Sequence, residues 1–190
     1  MTLQSGIHDN YLRNSVGDFL RGKMEEDTNL SIVSAYFTIY AYAALEGKLE
    51  QIERLRFLFG EPRFVRQLDP DRTDKKAFDI EDKELRLKNR VDQKAVAKAC
   101  ADWIERKADI RSIKKAGFLH GKLYHIQNPH SEHAILGSSN FTVRGLGLAT
   151  SGNNIELNLE VDSRRDREDL VAWFDEIWND ASLVEDVKAE

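Results

Sequence analysis

The sequence predicts an α/β domain with a mixed central sheet of about six or seven strands and helices on both faces. Three observations carry this expectation. An apolar run at residues 30–37, a helical stretch from Thr38 to about residue 50 and a second apolar run at 55–59 form a strand-helix-strand unit with short joints. Chirality and burial favour such a unit as a parallel pair with its helix on one face. Three strand-like runs then follow one another between residues 118 and 161, and helical stripes occupy 91–107 and about 166–180.

In chain order, residues 11–24 place Leu12, Val16, Leu20 and Met24 four apart, predicting a short amphipathic helix despite Gly17 and Gly22. Residues 30–37 (LSIVSAYF) are rich in β-formers and read as a buried strand, after which Thr38 offers an N-cap. Gly60 closes the strand at 55–59. Residues 61–89 turn polar, with Pro62 and Pro70 and charges of alternating sign, and predict a surface excursion. Val91, Ala95, Ala99, Cys100, Trp103 and Ile104 make a continuous helical stripe, which gives Cys100 a packing role. Residues 110–115 read as a short basic strand.

The strand at 133–137 is apolar at its centre and ends in Gly137-Ser138-Ser139-Asn140. Residues 154–161 alternate strictly, which predicts Ile155, Leu157, Leu159 and Val161 in the core and leaves Glu156, Asn158 and Glu160 available. Asp162 and Ser163 offer caps for the last helix, whose apolar face carries Leu170, Trp173, Phe174, Ile177 and Trp178. Residues 1–181 are expected to form one domain, and residues 182–190 a frayed acidic tail that could link to a further region.

Composition narrows the function classes. With 33 acidic and 28 basic side chains the formal charge is -5, so any phosphate-binding surface must be local. Cys100 is the single cysteine, which excludes an intrachain disulfide and a cysteine-rich zinc site and fits a reducing, cytoplasmic setting. No apolar run approaches the length of a membrane span. Gly145 to Gly152 is glycine-rich but lacks the following Lys-Ser/Thr of a nucleotide-phosphate loop. His120 and His125 have opposite parity on one strand, and His130 and His133 lie in a polar loop, so no metal and no cofactor are expected.

His120 and Lys122, two apart, share one face if the chain there is a strand. His120-x-Lys122, then Gly137-Ser138-x-Asn140, then Asn154-x-Glu156-Leu157-Asn158 resembles the HKD signature of the phospholipase D superfamily. The variant is similar to that of nuclease-like members and of the phospholipase D-like domain attached to large superfamily-two helicases. The family's usual Asp, five residues after the Lys, is here Gln127. Only one copy of the motif is present, so the resemblance implies a homodimer with two copies meeting across a two-fold axis.

Phosphodiester hydrolysis through side chains needs a nucleophile, a proton donor for the leaving oxygen and donors around the phosphoryl oxygens. His120 is the candidate for the first two roles, one in each of two protomers. Lys122, Asn140 and the Ser138 hydroxyl are the candidates for the phosphoryl oxygens, and Glu156 for the carboxylate that orients the imidazole, with Glu160 as its substitute. The expected function is a metal-independent nuclease acting on DNA or RNA. Arg106, Lys107, Arg111, Lys114 and Lys115, clustered before the motif, favour nucleic acid over lipid. The alternative is a non-catalytic module that binds nucleic acid and dimerises a larger helicase.

Overall fold

Asp9 decides how the chain begins. In the computed structural model, which describes residues 6–60, 90–115 and 118–189, a short strand β1 (Ile7–His8) leads straight into it. One Asp9 carboxylate oxygen accepts the N–H groups of Tyr11, Leu12 and Arg13 at 2.9, 3.0 and 2.8 Å. These bonds, that of Arg13 foremost, hold the Asp9 carboxyl down at about 2. The expected helix at 11–24 therefore starts late, as α1 (Val16–Lys23), with Ser15 as its N-cap accepting the Asp18 N–H at 2.9 Å. Leu12, expected on the apolar stripe, is 78% exposed.

The strand-helix-strand unit forms as expected. β2 (Asn29–Ser34) pairs in parallel with β3 (Arg54–Phe59), and α2 (Ile39–Leu49), capped by the Thr38 hydroxyl, joins them. Helix α3 (Arg90–Lys107) returns the chain to β4 (Ala108–Ile113), parallel to β3. β5 (Lys122–Gln127) lies antiparallel to β2, β6 (Glu132–Gly137) to β5, and β7 (Asn158–Glu160) to β6. Helix α4 (Arg164–Asn179) and β8 (Val184–Asp186) complete the described chain. Among the described residues the sheet has eight strands in the order β1-β7-β6-β5-β2-β3-β4-β8.

The count exceeds the expected six or seven because β1 and β8 are too short to show alternation. β8 also corrects the frayed tail: Val184 pairs with Ile113 and is buried, as is Val187. The expected surface excursion at 61–89 lies outside the described residues.

Helices α1, α2 and α3 cover one face, where Leu20, Leu45, Cys100 and Trp103 pack on Ile32, Phe57, Tyr124 and Ile135. Burying each such side chain contributes about 1.5–3 kcal/mol. Burial also pushes the Cys100 thiol up to about 12, so it behaves as a small apolar residue. On the other face Phe174 and Trp178 of α4 pack on Val33, Leu58, Ile113 and Leu123.

At the β6–β7 end of the sheet the alternation is inverted. Asn158 is 2% exposed, whereas Ile155, Leu157 and Leu159 are 72%, 68% and 53% exposed. Leu136, the cross-strand partner of Leu159, is exposed as well. Buried Asn158 finds partners at both ends of its amide, while the leucines stay exposed.

His125, buried beneath α4, holds Glu132 Oε1 at 2.8 Å through Nε2. Burial, the larger cause, lowers its pKa, and Glu132 pulls the other way. The partly buried His133 is lowered too, again chiefly by burial. Below about pH 6.5 the unfolded chain then binds more protons than the folded one, so stability present above that pH is lost as pH falls towards the folded pKa. The thermal midpoint is expected to drop between about pH 7 and pH 5, and to drop less in His125→Gln. Identical slopes for the two proteins would remove His125 from the acid response.

Candidate active site

The ladder registers bring the motif residues to one end of the sheet. Val33 and Leu136 both pair with Leu123, Lys122 pairs with Gly137, and Gly137 pairs with Asn158. The end of β2, the start of β5, the end of β6 and the start of β7 therefore meet there.

His120 is exposed and lies in the segment just before β5, not on the strand with Lys122 as expected. Its neighbour Leu119 packs against the α4-side core and crosses Gly60 closely. A Cβ at Gly60 would stand 2.5 Å from the Leu119 carbonyl oxygen, so glycine is what lets this segment pass. With Leu119 turned inward, His120 is turned out. Lys122 Nζ donates to the His120 carbonyl at 2.9 Å, which keeps an ammonium beside the imidazole's own backbone.

The loop after β6 is clamped from below. Tyr124 donates its hydroxyl to the Ser139 carbonyl at 2.9 Å. Burial, with Glu156 nearby as a lesser cause, raises the Tyr124 pKa strongly, so the phenol keeps the proton it donates. Asn158 accepts the Ser139 N–H at 3.1 Å and donates to Ser139 Oγ at 2.9 Å and to the His8 carbonyl at 3.0 Å. Asn140 is fixed in turn: its Oδ1 accepts the Ala35 N–H at 3.1 Å and lies 3.2 Å from the Ser34 hydroxyl. The Asn140 side chain is thereby held through its Oδ1.

Glu156 takes a different place from the one expected. Its carboxylate accepts the Ser138 hydroxyl and, at 3.2 Å, the Asn154 amide. Its own N–H donates to the Asp9 carbonyl at 3.1 Å. A serine hydroxyl has one hydrogen, and Ser138 gives it to Glu156 while accepting the Leu157 N–H at 3.0 Å. Ser138 thus ties Glu156 to the Leu157 backbone. The substitute carboxylate, Glu160, is engaged with His8 and Lys23, each at 3.5 Å.

Four of the five basic residues before the motif are engaged within the chain. Arg106 pairs with Glu50, Lys107 donates to the Ile52 carbonyl, Arg111 to the Trp178 carbonyl and Lys114 to the Ala181 carbonyl. Lys115 lies 5.9 Å from the Phe118 ring. Gln127 sits at the far end of β5, about 16 Å from Lys122 at 3.3 Å per residue, so the missing family Asp leaves the site itself untouched. Among the described residues no three His, Cys, Asp or Glu side chains converge as a metal site.

Ser34, Tyr124, Ser139 and the Asp9 carbonyl were not singled out from sequence. None carries a motif of its own; long-range pairing alone recruits them.

The family model described as "Cardiolipin synthase, PLD-like domain" matches residues 29–178, which include His120, Lys122, Ser138, Asn140 and Glu156. The chain belongs to the phospholipase D-like family. This superfamily generally carries out phosphoryl transfer, and the phospholipase D-like domain points to phosphodiester-related chemistry. Among solved structures the domain is similar to polyphosphate kinase from Porphyromonas gingivalis, with a TM-score of 0.51 at 11% identity. The match covers 90% of this chain and 20% of the kinase, so it is a likeness of fold over about a fifth of that enzyme. The comparison with curated proteins gives no match. Among the described residues, no helix of this phospholipase D-like domain is long and apolar enough to cross a membrane.

Proposed function

We propose that the domain is a metal-independent phosphodiesterase acting on nucleic acid through a phosphohistidine, in a site shared by two copies of the chain. The observation that carries this is an exposed His120 whose carbonyl accepts the Lys122 ammonium at 2.9 Å, at the sheet end that also bears the fixed Asn140, once per chain. The neutral imidazole attacks phosphorus, and the P–N bond forms as the P–O ester bond breaks. The departing oxygen takes a proton from the imidazolium of the second copy's His120. Water then displaces the histidine, giving its proton back to that second imidazole. Lys122 and Asn140 stabilise the charge on the non-bridging oxygens.

Support for a second copy comes from the uncovered leucines. Leu136, Leu157 and Leu159 are exposed on the flank next to Glu156, where a two-fold neighbour would remove them from water. An apolar flank of this kind is unusual for a surface that stays in solvent.

Turnover of bis(4-nitrophenyl) phosphate is expected to survive excess EDTA, since side chains fill every charge-stabilising role. Complete loss with chelator, restored by magnesium or zinc, would overturn the mechanism. In the same assay Leu157→Asp/Leu159→Asp should be monomeric by light scattering and slower by about 10²–10⁴-fold, the usual worth of a lost general acid. A monomer of full activity would sink the shared site. Phosphate binding without turnover would favour the non-catalytic module.

A further inference from the structure

We infer that the domain carries a second anion site, a phosphate-binding cavity between the sheet and α4 at the end of β2, β3 and β5 remote from His120. It stands apart from the phosphodiesterase proposed above, since neither His120 nor Lys122 takes part in it.

Alternate residues of β2, β3 and β5 face α4, and the ladder registers sort them into rungs. Val33 pairs with Leu58 and with Leu123, and this rung packs against Phe174 and Trp178. Further along the three strands the same face turns polar. Ser31 stands between Arg56 and His125, and in the last such rung Asn29 stands between Arg54 and Gln127. Together with Leu30 and with Val171 of α4 these residues line a cavity of about 350 Å³. That volume lies at the lower end of the ~300–1,000 Å³ of small-ligand pockets.

Among the described residues the lining holds two guanidinium groups and two carboxamides but no carboxylate. Arg56 is fixed in place. Its Nε and Nη2 donate to the Ser31 hydroxyl at 3.2 and 3.0 Å, its Nη1 donates to Asp175 at 2.6 Å, and its guanidinium lies 4.8 Å from the centre of the Phe174 ring. Arg54 is held by Asp109 of β4. Asp109 and Asp175 grip the guanidinium groups without lining the cavity, and a guanidinium carries more N–H groups than these contacts use. Glu132 is likewise engaged outside the lining, at His125 Nε2. Arginines held in this way, beside the exposed carboxamides of Asn29 and Gln127, suit a compact oxyanion, and their forked N–H groups match phosphate. A cation would find no carboxylate to meet it. Residue 127 is also where the family usually carries Asp, whose charge would oppose an anion; the amide of Gln127 does not.

The test follows the side-chain amide NMR signals of Asn29 and Gln127 in isotope-labelled protein while inorganic phosphate is added at constant ionic strength. Both signals are expected to shift saturably, with a dissociation constant of about 1 mM or tighter. Gln127→Glu keeps the shape and adds a negative charge, so phosphate binding read at Asn29 should weaken by at least about tenfold. Arg54→Gln, which removes a cation, should weaken it in the same direction. Both positions are exposed, so these variants are expected to keep the wild-type thermal midpoint within about 2 °C. Lys122→Ala should leave the shifts unchanged, which separates this cavity from the His120 end of the sheet. An oligothymidylate added to His120→Ala protein distinguishes the source of the phosphate: a response to inorganic phosphate alone assigns the free anion, and a response to the strand alone assigns a nucleic-acid backbone. Shifts that stay linear with both probes, binding that survives Gln127→Glu and Arg54→Gln, or shifts abolished by Lys122→Ala would overturn the inference.

Discussion

Replacing His120 with alanine is expected to lower phosphodiester turnover by at least about 10³-fold while leaving the fold intact. The imidazole is exposed, and the segment carrying it is held by Leu119 and Gly60. Exposed substitutions of this kind shift stability by about 0.5 kcal/mol or less, which is about 1–2 °C in a domain of this size. A fall of the thermal midpoint well beyond that would show that His120 serves structure instead. The same variant tests the shared site. A mixed dimer keeps one His120 and lacks either the nucleophile or the acid, so it should be inactive. When wild-type and His120→Ala chains are unfolded, mixed and refolded together, activity should follow the square of the wild-type fraction. A straight line would mean that each chain carries a complete site.

Gly137→Ala is expected to damage stability and activity together. Gly137 faces Asn158 across β6 and β7, and a Cβ there would lie 2.2 Å from the Leu157 carbonyl oxygen and 2.6 Å from the Asn158 Cα. Both are backbone atoms in a paired strand, so relief means opening the ladder that carries Asn158 to Ser139. Overpacking of this severity costs about 1–3 kcal/mol, or roughly 2–12 °C in thermal midpoint. Turnover should fall as well, because the loop holding Asn140 loses its clamp. Gly22 is the control: it sits within α1 with nothing near its missing Cβ, and alanine there should stabilise by about 0.5–1 kcal/mol. A Gly137→Ala protein as stable as wild type would show that the strands separate easily at this point.

The parallel unit of β2, α2 and β3 was legible because its apolar runs are long enough for periodicity and its helix carries a capping threonine. The spacing of His120, Lys122 and Asn140 on successive elements carried the family resemblance, and the ladder registers bring those elements to one end of the sheet. The segment before β7 misled for a definite reason. Alternation shows which residues share a side but does not say which side is buried, and the apolar side was taken to be the inner one. Asn158 goes inside because both ends of its amide find partners there, one of them the His8 carbonyl from the far end of the chain. No local pattern announces that contact. The Ser138 contact with Glu156 was hidden for a related reason: the motif shows that the two are near in sequence pattern, but not where the single hydroxyl hydrogen goes.

The pairing of β1 with β7 has a consequence for biosynthesis. Ile7 and His8 find their partners at Leu159 and Asn158, and at about 5–20 residues per second a ribosome needs on the order of 10 s to make the chain between them. Throughout that interval the Asp9 turn has no Glu156 N–H to accept and Asn158 has no His8 carbonyl to grip. A nascent chain therefore displays His120 and Lys122 well before the parts that hold Asn140 and Glu156 in place exist as a unit. The geometry of this sheet end therefore arrives late and all at once.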